Sequence, residues 1–131
     1  MQRAWQQFLN TPGADSIRAV ELCHEHPGKM WTVDGTFIRP VLDQSTLAVP
    51  WHDGQYQALP IVYVQNSALE IAWTRVVWDS HTRGGRAIAP FFTDPAEGFT
   101  IDHPTDWILA EHHIATGEVK LPTIDRPPYA Q

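Results

Sequence analysis

A single cysteine, Cys23, stands among 131 residues, so no internal disulfide is possible and a reducing compartment suits the chain. Cations are scarce as well. Nine Lys and Arg against fifteen Asp and Glu leave a net charge of -6, and the positive residues are nowhere clustered. A nucleic-acid backbone needs such a cluster, so nucleic acid is not an expected partner. No run of apolar residues is long enough to span a membrane, and the opening MQRAWQQFLN lacks the apolar core of a secretory leader. The expectation is a cytoplasmic protein without a membrane partner. Glycine pairs are rare too: Gly84-Gly85, between Arg83 and Arg86, is the one candidate phosphate loop, and a solvated turn is the better reading of it.

What is present points to a folded core. Hydrophobic residues make up 43% of the chain and six are tryptophans, too many for a disordered segment. The length suits one domain, and eleven prolines argue for many short elements. Trp5, Phe8 and Leu9 fall on one helical stripe that ends at Pro12-Gly13, which predicts a short helix over 3–9. Alternation over 16–22 predicts a strand burying Ile17, Ala19 and Val20 to Leu22. Trp31-Thr32-Val33 and Phe37-Ile38 flank Asp34-Gly35, the pair expected at the centre of a type I′ hairpin turn.

Residues 43–60 hold scattered turn signals and read as an extended excursion, a length of loop that usually has a task. Trp51 and Tyr56 within it suggest a protein interface. The runs 61–64 and 68–73 are β-rich, and Asn66-Ser67 between them is either a turn or a bulge in one bent strand. Thr74 is the expected cap of a short helix through Trp78, and 86–92 is a further strand. From Pro104 the pattern is helical, with Trp107, Ala110 and Ile114 on one stripe and Gly117 just past the end. Trp31, Trp73 and Trp107 are expected in the core. Strands alternating with helices give an α/β class: one domain over 1–116 and a Pro-rich tail over 117–131.

Cys23, His24, Glu25 and His26, together with His52, His112 and His113, invite a metal reading. Their spacing matches neither paired zinc ligands nor the His-Glu-x-x-His helix of a zinc protease. Lys29 beside His26-Pro27 is placed to face an anion. Asp102 has two readings. It can simply precede a helix with His103 as cap, Pro104 in the first position and Asp106 in the third, or it can hold a metal.

Four segments in order carry a resemblance. They are Ala14-Asp15-Ser16 with His26-Pro27-Gly28-Lys29-Met30-Trp31, then Gln57-Ala58-Leu59-Pro60, then Tyr63-Val64-Gln65-Asn66, and finally Ile101-Asp102-His103-Pro104-Thr105-Asp106-Trp107 with Leu109-Ala110-Glu111. Together they resemble the C-terminal half of the acylneuraminate cytidylyltransferases, which join sialic acid and related sugars to CMP. The resemblance implies a partial nucleotidyltransferase-like mixed sheet with flanking helices and a β-rich dimerisation extension. It implies Gln57, Asn66 and Lys29 as substrate-binding residues and Asp102 as a metal ligand, for Mg²⁺ when nucleotide is bound. It implies a homodimer whose extension reaches towards the partner's sugar site.

The sequence departs from that family at telling places. Thr100 stands where the family has the first of two metal-binding aspartates, Ser67 replaces a glycine, and Glu70 replaces an aromatic. The Gly-rich nucleotide loop of the family's other half has no counterpart here. The expectation is therefore a truncated CMP-sugar synthetase-like protein, not catalytic alone and needing no cofactor alone. Two alternatives stand beside it: half of a split cytidylyltransferase completed by a second chain, and a small-molecule or metal-binding module.

Overall fold

The computed structural model describes residues 1–125; the last part of the expected tail, from Arg126, lies outside the described residues. In chain order the elements are α1 (Gln2–Leu9), β1 (Ser16–Leu22), β2 (Trp31–Asp34), β3 (Phe37–Pro40), β4 (Tyr63–Ala72), α2 (Thr74–Ser80), β5 (Ile88–Phe92) and α3 (Pro104–Ala115). The main sheet runs β4-β1-β5, with β4 antiparallel and β5 parallel to the central β1. β2 and β3 form a separate two-stranded sheet. The protein is thus a small α/β domain with a mixed sheet flanked by helices.

Alternation along β1 sends Ile17 and Ala19 to one face, where both are fully buried beneath Ala4 and Phe8 of α1. Ala89 and Phe91 of β5 join them, and Leu69, Ile71 and Trp73 pack against the cluster from the β4 side. Phe8 stacks on Trp73 with ring centroids 4.7 Å apart. Burying a side chain such as Ile17 or Phe8 contributes about 1.5–3 kcal/mol. The core is small, so each of these residues carries a large share of the fold.

Several expectations are corrected here. Val20 is only half-buried and Leu22 exposed, because both wall an open cleft at the far end of β1. Trp31 and Trp107 are exposed as well, and only Trp73 touches the core. The apolar stripe of α3 exists, yet α3 has no buried residue; Trp107 is 58% and Ile108 65% exposed. Thr74 is the first helical residue of α2 and Trp73 the cap, so the threonine hydroxyl does not cap the helix.

The hairpin turn lies one residue later than expected. Asp34 pairs with Phe37, so Gly35 and Thr36 are the central residues. Gly35 has φ +61° and Thr36 is not at positive φ, the sign pattern of a type II′ turn, in which only the first central residue requires glycine. Asn66-Ser67 resolves as a bulge. Arg18 pairs with Glu70 but Val20 with Gln65, so extra β4 residues loop out within one long strand.

The 43–60 excursion is pinned rather than loose. Gln44, 5% exposed, donates from Nε2 to Gly28 O at 2.8 Å and accepts from His52 N at 3.2 Å. His26 Nδ1 accepts from Gly28 N at 2.9 Å, which puts the ring proton on Nε2, 3.1 Å from Pro60 O. Trp51 lies edge-on to His26, and a Cβ built on Gly28 would stand 2.8 Å from Trp51 Cβ.

Candidate functional site

The carboxyl ends of β1 and β5 point the same way because the two strands are parallel. In open α/β sheets, ligands bind outside that end. A cleft of about 650 Å³ lies there, walled by Val20, Glu21 and Leu22 of β1, Phe92 and Thr93 at the end of β5, and the loop through Gly98, Phe99 and Thr100. Tyr63, His24 and Asp106 complete the lining. Its apolar wall includes Tyr63 and Phe92, whose rings meet edge to face at 4.9 Å. Its charged lining groups are the carboxylates of Glu21 and Asp106; among the described residues no Lys or Arg lines it.

Asn66 is what the β4 bulge brings to this end. Its Nδ2 donates to Glu21 Oε2 at 3.1 Å and to Thr93 Oγ1 at 2.8 Å, while its Oδ1 accepts from Ala68 N at 3.2 Å. The amide therefore clamps β4 to the ends of β1 and β5 and fixes two lining residues. Gly98 is buried directly against this clamp: a Cβ there would stand 2.6 Å from Asn66 Nδ2 and closer still to Glu21 Oε2.

Asp102 is exposed at the rim, just before α3. Thr100 Oγ1 donates to Asp102 Oδ2 at 2.8 Å. Asp106 Oδ2 accepts from the amides of His103 at 2.7 Å and Asp102 at 3.0 Å, which start the helix. Those same two amides, His103 first, hold the Asp106 carboxyl below its ordinary range. A divalent cation would therefore find at Asp102 a single carboxylate already accepting a hydroxyl. Among the described residues no group of three or more His, Cys, Asp and Glu could hold a metal. Asp102 would offer a magnesium ion one carboxylate, with water or nucleotide oxygens as the remaining ligands.

Gln57 and Lys29 lie elsewhere, in and under the excursion. Gln57 is exposed on the short 3-10 turn Tyr56–Ala58. Lys29 Nζ donates to His52 O at 3.1 Å and Gly54 O at 2.7 Å and lies 5.3 Å from the Tyr56 ring centre. Its ammonium is thereby engaged in holding the excursion's tip. So the structure gathers the neighbours of Asn66 and Asp102 on one cleft, while Lys29 and Gln57 share a separate region. Glu21, Thr93 and Gly98 were not legible as site residues. Only the position of Glu21 near the carboxyl end of a predicted strand offered a signal.

The Gly84-Gly85 turn is occupied from within. Asp15 Oδ2 accepts from Arg86 N at 2.9 Å and Ala87 N at 3.1 Å, and its Oδ1 pairs with Arg75 at 3.1 Å. Backbone N–H groups arranged in this way form an anion nest, and the chain's own carboxylate fills it. The Arg86 and Ala87 amides, in that order, lower the Asp15 pKa from its ordinary 3.8. The folded value is the depressed one, so the stabilisation is complete above about pH 3.8 and is lost as the pH falls through the folded value. Asp15→Asn should be less stable than the parent at neutral pH and lose less stability on acidification. Urea midpoints across the acid range measure it; parallel curves would contradict it.

No family model matches the chain, and no curated protein matches it significantly.

Proposed function

We propose that the chain is a CMP-sugar synthetase-like domain that does not transfer cytidylyl groups by itself, and that it works as a homodimer. The observation that carries the first part is the charge of the cleft. It stands where an α/β sheet binds ligands, yet among the described residues its charged lining groups are Glu21 and Asp106, with no lysine or arginine. Phosphoryl chemistry relies on positioning and on positive charge around the phosphates, and a triphosphate would meet repulsion here. The anion nest at Gly85-Arg86-Ala87 does not compensate, because Asp15 fills it. Support for the second part comes from exposed apolar surface: Val33, Phe37 and Ile38 of the β2–β3 hairpin, and Trp107 and Ile108 of α3. An isolated two-stranded sheet is marginal in water.

Calorimetric titration of CTP into the chain, with and without Mg²⁺, tests the reading. A flat trace is expected; saturable heat in either condition would count against it.

A second reading, half of a split nucleotidyltransferase, is favoured by one feature. The bonded partners of Asn66 (Glu21 and Thr93) and of Asp102 (Thr100 and Asp106) line the same cleft although they are far apart in sequence. In that case a second chain would bring the nucleotide with its cationic loop, Asn66 would orient the sugar, and Gln57, away from this cleft, could do so only from a partner copy. Turnover that appears only on adding such a chain would distinguish it.

A further inference from the structure

The two edges of the main sheet differ. The outer edge of β5 is closed: Pro90 has no amide to offer, and α1 reaches over with Gln7 Nε2 on Pro90 O at 2.7 Å and Arg3 Nη1 on Phe92 O at 3.2 Å. The outer edge of β4 has no such cover among the described residues. Trp73 N donates to Asp15 O, so by the alternation of an antiparallel ladder the N–H and C=O groups of Ala72 and Glu70 point outward. The bulge at 66–69 leaves 70–72 as a short straight stretch at the end of β4.

We infer that the homodimer forms through this edge, β4 pairing antiparallel with the same strand of a second copy about a two-fold axis at Ile71. The inference rests on the homodimer reading above and assigns its interface. Around that axis Glu70 stands opposite the partner's Ala72 and Ala72 opposite the partner's Glu70. Each is a hydrogen-bonded pair that exchanges both backbone bonds. The result is one continuous sheet, and an isologous contact of this kind closes on itself.

Two observations select a second copy as the occupant. The first is charge. In a protein of net charge -6, the side chains at this edge do not repel: Glu70 is paired with Arg18 and lies 3.7 Å from Arg83, itself 83% exposed. Diagonal neighbours across an antiparallel pair lie roughly 7–8 Å apart. The two Glu70 carboxylates would meet at that diagonal already neutralised, with each Arg83 free to reach the partner's Glu70. The second is an apolar groove beside the same stretch, lined by Met1, Trp5, Leu69 and Ile71. Symmetry places Ile71 against the partner's Ile71, so the groove and its copy would cover one another.

Ala72→Pro tests the interface, because it deletes an outward amide that makes no bond to the described residues of the chain and leaves the core side chains in place. Sedimentation equilibrium at micromolar concentrations should give a dimer for the parent and a monomer for Ala72→Pro with unchanged far-ultraviolet circular dichroism. Amide exchange supplies a measure that needs no variant: Glu70 and Ala72 should be protected in concentrated solution and lose protection on dilution. A parent that stays monomeric, a dimer that survives Ala72→Pro, or unprotected amides at 70 and 72 in the dimer would each overturn the inference. The surviving dimer would keep the homodimer reading and remove only this edge.

Discussion

Phe8→Ala is expected to lower the stability of the protein more than any other single truncation of the core considered above, leaving it marginally folded. Phe8 is 1% exposed, stacks on Trp73 and joins α1 to both β1 and β5. Truncating a buried phenylalanine costs about 3–5 kcal/mol in lost burial and residual cavity. Whole domains are stable by only about 5–15 kcal/mol. Few residues here are fully buried, so there is little neighbouring core to collapse into the space. The measurement is urea unfolding followed by tryptophan fluorescence, to which Trp73 contributes directly. A cooperative transition within about 1 kcal/mol of the parent would contradict the account of the core.

Gly98→Ala should have the second-largest effect, and at the cleft. The added methyl would stand 2.6 Å from Asn66 Nδ2 and also against Glu21 Oε2, so the clamp between the bulge and the ends of β1 and β5 cannot keep its bonds. The atoms it meets are side-chain tips that can swing aside, so the cost is that of the lost hydrogen bonds, about 0.5–1.5 kcal/mol each. Unlike Phe8→Ala, the variant should retain the α1 core. Amide shifts should then move at Asn66, Ala68 and Thr93 and stay fixed in α1. Shifts confined to Gly98 and its chain neighbours would show that the clamp is not there.

Ile17 and Ala19 were readable because β1 has one covered face, which alternation reveals. Asp102, Pro104 and Asp106 were readable because helix starts obey local rules, and the Asp106 bonds to the His103 and Asp102 amides are those rules at work. The hairpin turn slipped by one because Asp-Gly suits the centre of a type I′ turn, whereas type II′ needs glycine only in its first central place. The exposure of Trp31, Trp107 and the α3 stripe was not legible: periodicity marks an apolar face but not what covers it. Nor was the Asn66–Glu21–Thr93 clamp, whose members meet only once the sheet has formed. Asp15 in the Gly85-Arg86-Ala87 nest is the same kind of long-range event.

What most directly tests the central claim is release of pyrophosphate from CTP by the purified chain, with Mg²⁺ and a panel of 2-keto sugar acids. A cleft whose charged lining groups are carboxylates predicts no release above the protein-free control for any of them. Release that saturates with CTP and disappears in Gly98→Ala would contradict it, by showing that this chain alone carries a complete nucleotidyltransferase site.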